Sequence, residues 1–214
     1  MSPEERLVRI EAKSPIFSIA GPEVCLVYAS NIILNTLKKK IKDVRMRLIP
    51  CSEESALDKI DSGECHIAVI CGPYAERFIG KVIRKVTFVT CAGESHPLIA
   101  GKKKLSFPIE EVLKHPFVKG DHPFFGEIKL QDNNIDGWRD DKFPRLVSYV
   151  STSLKIIDHF LLNGDALAYL PDYYAQALNV KVLQVTGCPY TCEQKLKMVI
   201  SRSSPFHWLK DVLD

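Results

Sequence analysis

The chain has 214 residues, 46% of them hydrophobic and 26% charged. That is globular material with apolar mass for one large or two modest cores, which excludes a disordered polymer. Its 29 basic against 26 acidic residues leave a net charge of +3, too balanced to mark a nucleic-acid face.

Met1–Lys13 is charged and unlike a signal sequence, and Leu7–Ile10 has the character of a short strand interrupted by Ser14-Pro15. Residues 1–16 therefore form a tail or the remnant of a linker. Phe17–Ala20 suits a buried strand, Gly21-Pro22 a tight turn, and Glu23 to Lys40 a helix with Leu26, Ile33 and Leu37 on one stripe. Pro22 fits the first helical position, where its missing N–H costs nothing. Val44–Ile49 alternates as a second strand, and Ser52 caps a helix that begins with Glu53 and Glu54 and stops near Gly63. His66–Cys71 is an apolar run of buried parallel-strand type closed by Gly72-Pro73. The order β-α-β-α-β implies one sheet with right-handed crossovers.

Lys81–Thr90 is extended, with Val86, Phe88 and Thr90 on one face, and Ile109–Leu113 is a short helix before a strand at Phe117-Val118. Gly120–Pro144 is irregular, with a helical turn within Phe124–Leu130. Leu146–Val150 is strand-like, and Ser151-Thr152-Ser153 is the strongest helix cap in the sequence, opening a helix that ends at Asn163-Gly164. Ala166–Leu170 is a buried strand, Pro171-Asp172 starts a short helix, and Val182–Val185 and Leu196–Ile200 are further strands. Pro205–Leu213 reads as a closing amphipathic helix.

Two β/α halves joined by extended segments near 88–93 and 193–200 imply two Rossmann-like lobes with two crossovers and a cleft between them. The expected division is lobe I over 17–91 and 195–214 and lobe II over 92–194. Loops that follow a strand and precede a helix present amides and hydroxyls to a ligand. Here those are Gly21, Pro22, Glu23 and Val24, with Cys51 and Ser52, from the first lobe. Lys119, Gly120 and His122, with Ser151, Thr152 and Ser153, come from the second.

Several strings in order resemble the effector-binding domain of LysR-type transcriptional regulators. They are Ile19–Tyr28, Asp43–Leu48, Leu57–Glu64, His66–Ile70, Ser95–Leu98, Leu113 to Phe117, Thr152–Leu154 and Gly164 to Pro171. The resemblance implies a periplasmic binding protein type II-like fold that holds a small-molecule effector between its lobes, without catalysis or cofactor. It also implies a homodimer or homotetramer that controls a winged helix-turn-helix DNA reader, which this chain does not contain. A free-standing binding protein or enzyme on the same fold is the alternative reading. The first cleft loop offers Pro22-Glu23 in place of the family's small hydroxyl residue, so a carboxylate there stands ready to occupy the helix amides itself.

Other features have plainer readings. Lys38–Lys40 and Lys102–Lys104 suit a helix C-terminus and an exposed loop. The cysteines, seven in number, are scattered, which points to a reducing, cytoplasmic setting and not to a disulfide framework. Cys188 and Cys192 are spaced one residue too far apart for a redox dithiol and suit a turn between strands. Cys65, His66 and Cys71 lack metal-site spacing. No apolar run nears the roughly 20 residues of a membrane span, so no membrane partner is expected.

Overall fold

The computed structural model describes residues 16–39, 43–128 and 134–204. The first half follows the expected alternation: β1 (Ile16–Gly21), α1 (Glu23–Lys38), β2 (Arg45–Pro50), α2 (Glu53–Asp61) and β3 (Ile67–Ile70). Then comes the long β4 (Phe78–Ala92), followed by β5 (Ser106–Pro108), α3 (Ile109–Val112), β6 (Pro116–Gly120) and β7 (Leu146–Ser151). The chain continues with α4 (Leu154–Asn163), β8 (Leu167–Pro171), α5 (Asp172–Ala177), β9 (Lys181–Val182), β10 (Gln184–Thr186) and β11 (Glu193–Ser201). The strand expected at Leu7–Ile10 and the closing helix expected over Pro205–Leu213 lie outside the described residues.

The expected stripe Leu26, Ile33 and Leu37 is buried on α1, together with Val24, Cys25 and Ala29. Pro22 sits at the N-cap, one place earlier than its spacing suggests, and its carbonyl accepts the first helical bond from Leu26 N at 3.0 Å. Ser52 caps α2 as expected, its Oγ accepting from Ser55 N at 3.2 Å. The cap of α4 departs from expectation. Ser153 occupies the N-cap position without a side-chain cap bond, and Ser151 Oγ instead accepts from Ser153 N at 3.0 Å. That hydroxyl is spent on ordering the turn before the helix.

The strand order is β2-β1-β3-β11-β4-β8-β6-β7. β1 is parallel to both β2 and β3, as the β-α-β-α-β reading requires. β11 runs antiparallel to β3 and β4. The decisive element is β4, which changes partner along its length. Phe78–Thr87 pair with β11, whereas Phe88–Ala92 pair with β8. One strand therefore belongs to two sheets, and the β4–β11 ribbon is what joins the two halves of the molecule. The residues expected to share one face of it, Val86, Phe88 and Thr90, are buried.

The strand expected over Val182–Val185 splits. Leu183 N donates to Thr90 O and Gln184 N to Leu105 O, each at 2.8 Å. The chain therefore leaves β4 after β9 and moves to β5 within one residue.

Beyond β6 the irregular loop is organised by Arg145, whose side chain is 0% exposed. Its guanidinium donates to Asp136 at 2.8 and 3.2 Å and to Asp140 at 2.9 and 3.0 Å, and it lies over the rings of Phe117 and Trp138. Two carboxylates and two aromatic faces compensate a charge that burial alone would make costly.

Candidate functional site

The starts of α1 and α2 lie side by side, because Cys51 N donates to Gly21 O at 3.0 Å across the parallel β1–β2 pair. The segment 121–127 from the other half of the molecule lies over them. Val24 N, a free first-turn amide of α1, donates to Phe124 O at 3.2 Å. Around this contact is a cavity of about 230 Å³ lined in part by Pro22, Glu23, Cys51, Ser52 and His122, all expected site residues.

The remaining expected residues are distributed around it. Gly21 lies against the Val69 backbone, where a Cβ would collide with the carbonyl. Gly120 abuts the Phe124 ring. Lys119, Gly120, Ser151, Thr152 and Ser153 do not line this cavity. Ser151 is nonetheless tied to it, since its carbonyl accepts from Asp121 N at 3.3 Å. His122 Nδ1 lies 2.9 Å from Asp121 Oδ1, and its ring packs on Phe124 at 3.8 Å between centroids. Phe124-Phe125 forms a turn closed by Gly126 N donating to Pro123 O at 3.1 Å, and the end of the stretch expected to hold a helical turn, from residue 129, lies outside the described residues.

The residue that dominates the interlobe contact was read in the sequence only as an acid in the first turn of α2. Glu53 is 4% exposed. Its Oε1 accepts from Cys71 N at 2.6 Å and from Glu127 N at 3.0 Å, and its Oε2 accepts from Gly72 N at 2.7 Å. Two of those amides follow β3, and the third lies on the opposite half of the molecule. Burial raises the Glu53 carboxyl above its ordinary range, and the Glu127 carboxylate adds to that, while the three amide bonds oppose it. Gly126, at φ +91°, is required beside it: a Cβ there would lie 2.6 Å from Glu53 Oε1. The carboxylate expected to occupy backbone donors is Glu23 at the start of α1, where Val24 N instead donates to Phe124 O; Glu53 occupies a different set, the amides after β3 and on the facing segment.

Two thiols complete the contact. Cys25 Sγ and Cys71 Sγ lie 4.0 Å apart, where either thiol can donate to the other, and Phe125 O, 3.5 and 3.7 Å away, accepts from the thiol whose hydrogen is left over. The hydrogen bond with Cys71 and burial push the Cys25 thiol well above its ordinary range, so neither a thiolate nor a reactive nucleophile is expected there. Cys188 and Cys192 fall between β10 and β11, and both are free. Burial pushes Cys192 up to about 12. Among the described residues no group of three or more His, Cys, Asp or Glu side chains is placed to hold a metal ion.

On the far side of Cys71 and Gly72 opens a larger cavity of about 670 Å³. Its floor is the ribbon, with Lys85, Val86 and Thr87 from β4 and Glu193, Gln194, Lys195 and Lys197 from β11. One wall is Cys71–Pro73 and the other is Glu127-Ile128. Lys197 Nζ donates to Cys71 O at 2.8 Å and to Gly72 O at 2.6 Å. The residues whose amides hold Glu53 thus turn their carbonyls toward this cavity. Sequence reasoning missed it because its floor comes from strand interiors and its walls from loops that precede no helix among the described residues, so no helix start flags a binding residue.

Two β/α lobes, a strand ribbon shared between them and cavities at their junction define a periplasmic-binding-protein-like fold. The LysR substrate binding domain family matches residues 17–209. The chain belongs to that family. No curated protein sequence matches the chain. Among solved structures it is similar to the reduced form of the OxyR regulatory domain from Pseudomonas aeruginosa, at 16% identity and a TM-score of 0.66 over 92% of this chain and 94% of that one. The Synechocystis CcmR regulatory domain in complex with 2-PG is similar at 14% identity and a TM-score of 0.66, over 92% and 95%. Full-length CbnR complexed with its target DNA matches at 11% identity and a TM-score of 0.67, over 98% of this chain and 71% of that one.

Proposed function

We propose that this domain binds a small-molecule effector at the junction of its lobes, and that occupancy shifts the lobe arrangement that a paired copy and a DNA reader respond to. The observation that carries the reading is the cavity of about 670 Å³, floored by both ribbon strands and walled from both lobes. A ligand there touches each half of the molecule and the ribbon between them, so its binding energy depends on their relative placement.

Lobe I is taken as 17–91 with 195–214 and lobe II as 92–194, and the change of partner in β4 supports a division in this stretch. The smaller cavity, with Pro22, Glu23, Cys51, Ser52 and His122, is the second face of the same junction. The domain works by binding and not by catalysis, in the cytoplasm, as a homodimer or homotetramer whose DNA contact is made by a winged helix-turn-helix. The similar structures of a CcmR regulatory domain in complex with 2-PG and of full-length CbnR complexed with its target DNA support this reading.

The test is a thermal-shift screen of the domain against a metabolite panel, followed by small-angle scattering with each compound that raises Tm. A hit that also changes the scattering profile supports the reading. No hit across the panel refutes it.

A further inference from the structure

The floor of the larger cavity carries an unusual charge arrangement. Lys195 of β11 is the register partner of Lys85 of β4, and Glu193 is the partner of Thr87. Directly opposite residues of an antiparallel pair project to one face, so Lys85, Thr87, Glu193 and Lys195 share the face that lines the cavity. Two ammonium groups set opposite one another repel, and this pairing lowers the stability of the empty ribbon. On the wall, Glu127 lines the same cavity, with its Oε2 3.3 Å from where a Cβ on Gly72 would lie. Among the described residues, none of Lys85, Lys195, Glu127 and Glu193 has an ion-pair partner.

Charge complementarity decides the class of ligand. An anion alone relieves the lysine pair but faces two carboxylates. A cation alone pairs with Glu127 and Glu193 but faces the lysines. Only a ligand carrying both signs satisfies both sets, and Ile128 offers apolar contact for the carbon chain between its ends. The usual alternative anchor for an acid group, the amides after β3 and on the facing lobe, is already taken by Glu53.

We infer that the effector of this domain is a zwitterion of the amino-acid class, its acid group held between Lys85 and Lys195 and its ammonium group by Glu127. The inference rests on the sensing function proposed above and names the ligand class for that site. Because Glu127 belongs to one lobe and the lysines to the ribbon, such a ligand ties the lobe to the hinge it moves on.

The probes are β-alanine, γ-aminobutyrate and ε-aminocaproate, each measured beside the plain acid and the plain amine of the same chain length, by thermal shift and calorimetry on the intact chain. At least one amino acid of the series is expected to bind about tenfold tighter than its matched acid and amine. Lys85→Ala/Lys195→Ala and Glu127→Gln, all at exposed positions, are each expected to weaken that binding about tenfold. A plain acid or amine binding as tightly as its amino acid overturns the inference, and so does binding that survives both variants. If the amino acids fail while other metabolites shift wild type and the lysine variant alike, the ligand class and site are wrong and sensing stands. If nothing shifts Tm, both fail.

Discussion

Glu53→Ala tests the interlobe contact most directly. The substitution strands the amides of Cys71, Gly72 and Glu127, and each buried N–H without an acceptor costs about 1–3 kcal/mol. The total falls below three such penalties for two reasons. Cys71, Gly72 and Glu127 line the larger cavity, from which water can reach freed donors, and removing the carboxylate also removes its own burial cost. We expect a loss of about 3–5 kcal/mol, which for a chain of this length lowers Tm by roughly 8–15 °C. Glu53→Gln separates hydrogen bonding from side-chain volume. Its carbonyl oxygen still accepts at the Oε1 position, but its amide nitrogen faces Gly72 N, donor against donor, so about 1–2 kcal/mol is expected. Urea unfolding with constant m-values measures both. A Glu53→Ala loss below about 1 kcal/mol, or a Gln variant worse than the Ala variant, would refute the assignment of three functioning acceptor bonds.

Three further outcomes are expected. Gly126→Ala forces a Cβ to 2.6 Å from Glu53 Oε1 at a φ of +91° and should cost about 2 kcal/mol or more by urea unfolding; a neutral result would mean that the loop relaxes freely. Arg145→Ala leaves Asp136 and Asp140 facing one another without their shared cation and should cost about 3–5 kcal/mol, with loss of the near-ultraviolet signal of Trp138 as the local readout. His96 is 1% exposed, its Nδ1 accepts from Leu98 N at 3.1 Å, and burial, then the charge of His115, lowers it to about 4 from 6.5. The unfolded chain therefore binds a proton that the native one refuses, so stability is lost as pH falls from 6.5 towards 4, by at most about 3 kcal/mol. His96→Asn, which keeps an acceptor for Leu98, should flatten that slope in urea titrations across this range.

What the sequence made legible was what local physics controls. The β1–α1–β2–α2–β3 order, the Ser52 cap and the buried stripe of α1 each depend on periodicity and capping within a few residues, and each is present. The two-lobed plan followed from extended segments at the right places, and β4 realises it by changing partner between Thr87 and Phe88. What stayed hidden depends on distant residues meeting. Glu53 resembles any acid that favours a helix dipole until Gly72 and Gly126 bring backbone against it. Likewise, the opposition of Lys85 and Lys195 is a matter of strand register across more than a hundred residues of chain, which no local pattern encodes. Ser153 shows the converse error: a good capping residue in the right place whose hydroxyl makes no cap bond, because Ser151 already orders the turn.

Glu127 connects closure to sensing. Its amide is held by Glu53, while its carboxylate lines the cavity and adds like-charge repulsion to the burial that chiefly raises the Glu53 carboxyl. A ligand ammonium at Glu127 therefore does more than bind: it screens the repulsion between two carboxylates and strengthens the hydrogen bond that keeps the lobes together. Binding and closure should be coupled through this residue by about 0.5–1 kcal/mol, the lower range for contacting neighbours. The check is calorimetry of ε-aminocaproate, or of whichever amino acid of the series binds most tightly, against wild type and Glu53→Gln. Removing the Glu53 charge leaves less repulsion to relieve, so the variant should bind about two- to fivefold more weakly, although Glu53 touches no part of the ligand. Equal or tighter binding by Glu53→Gln would show that the cavity and the interlobe staple act independently, and that Glu127 carries no signal between them.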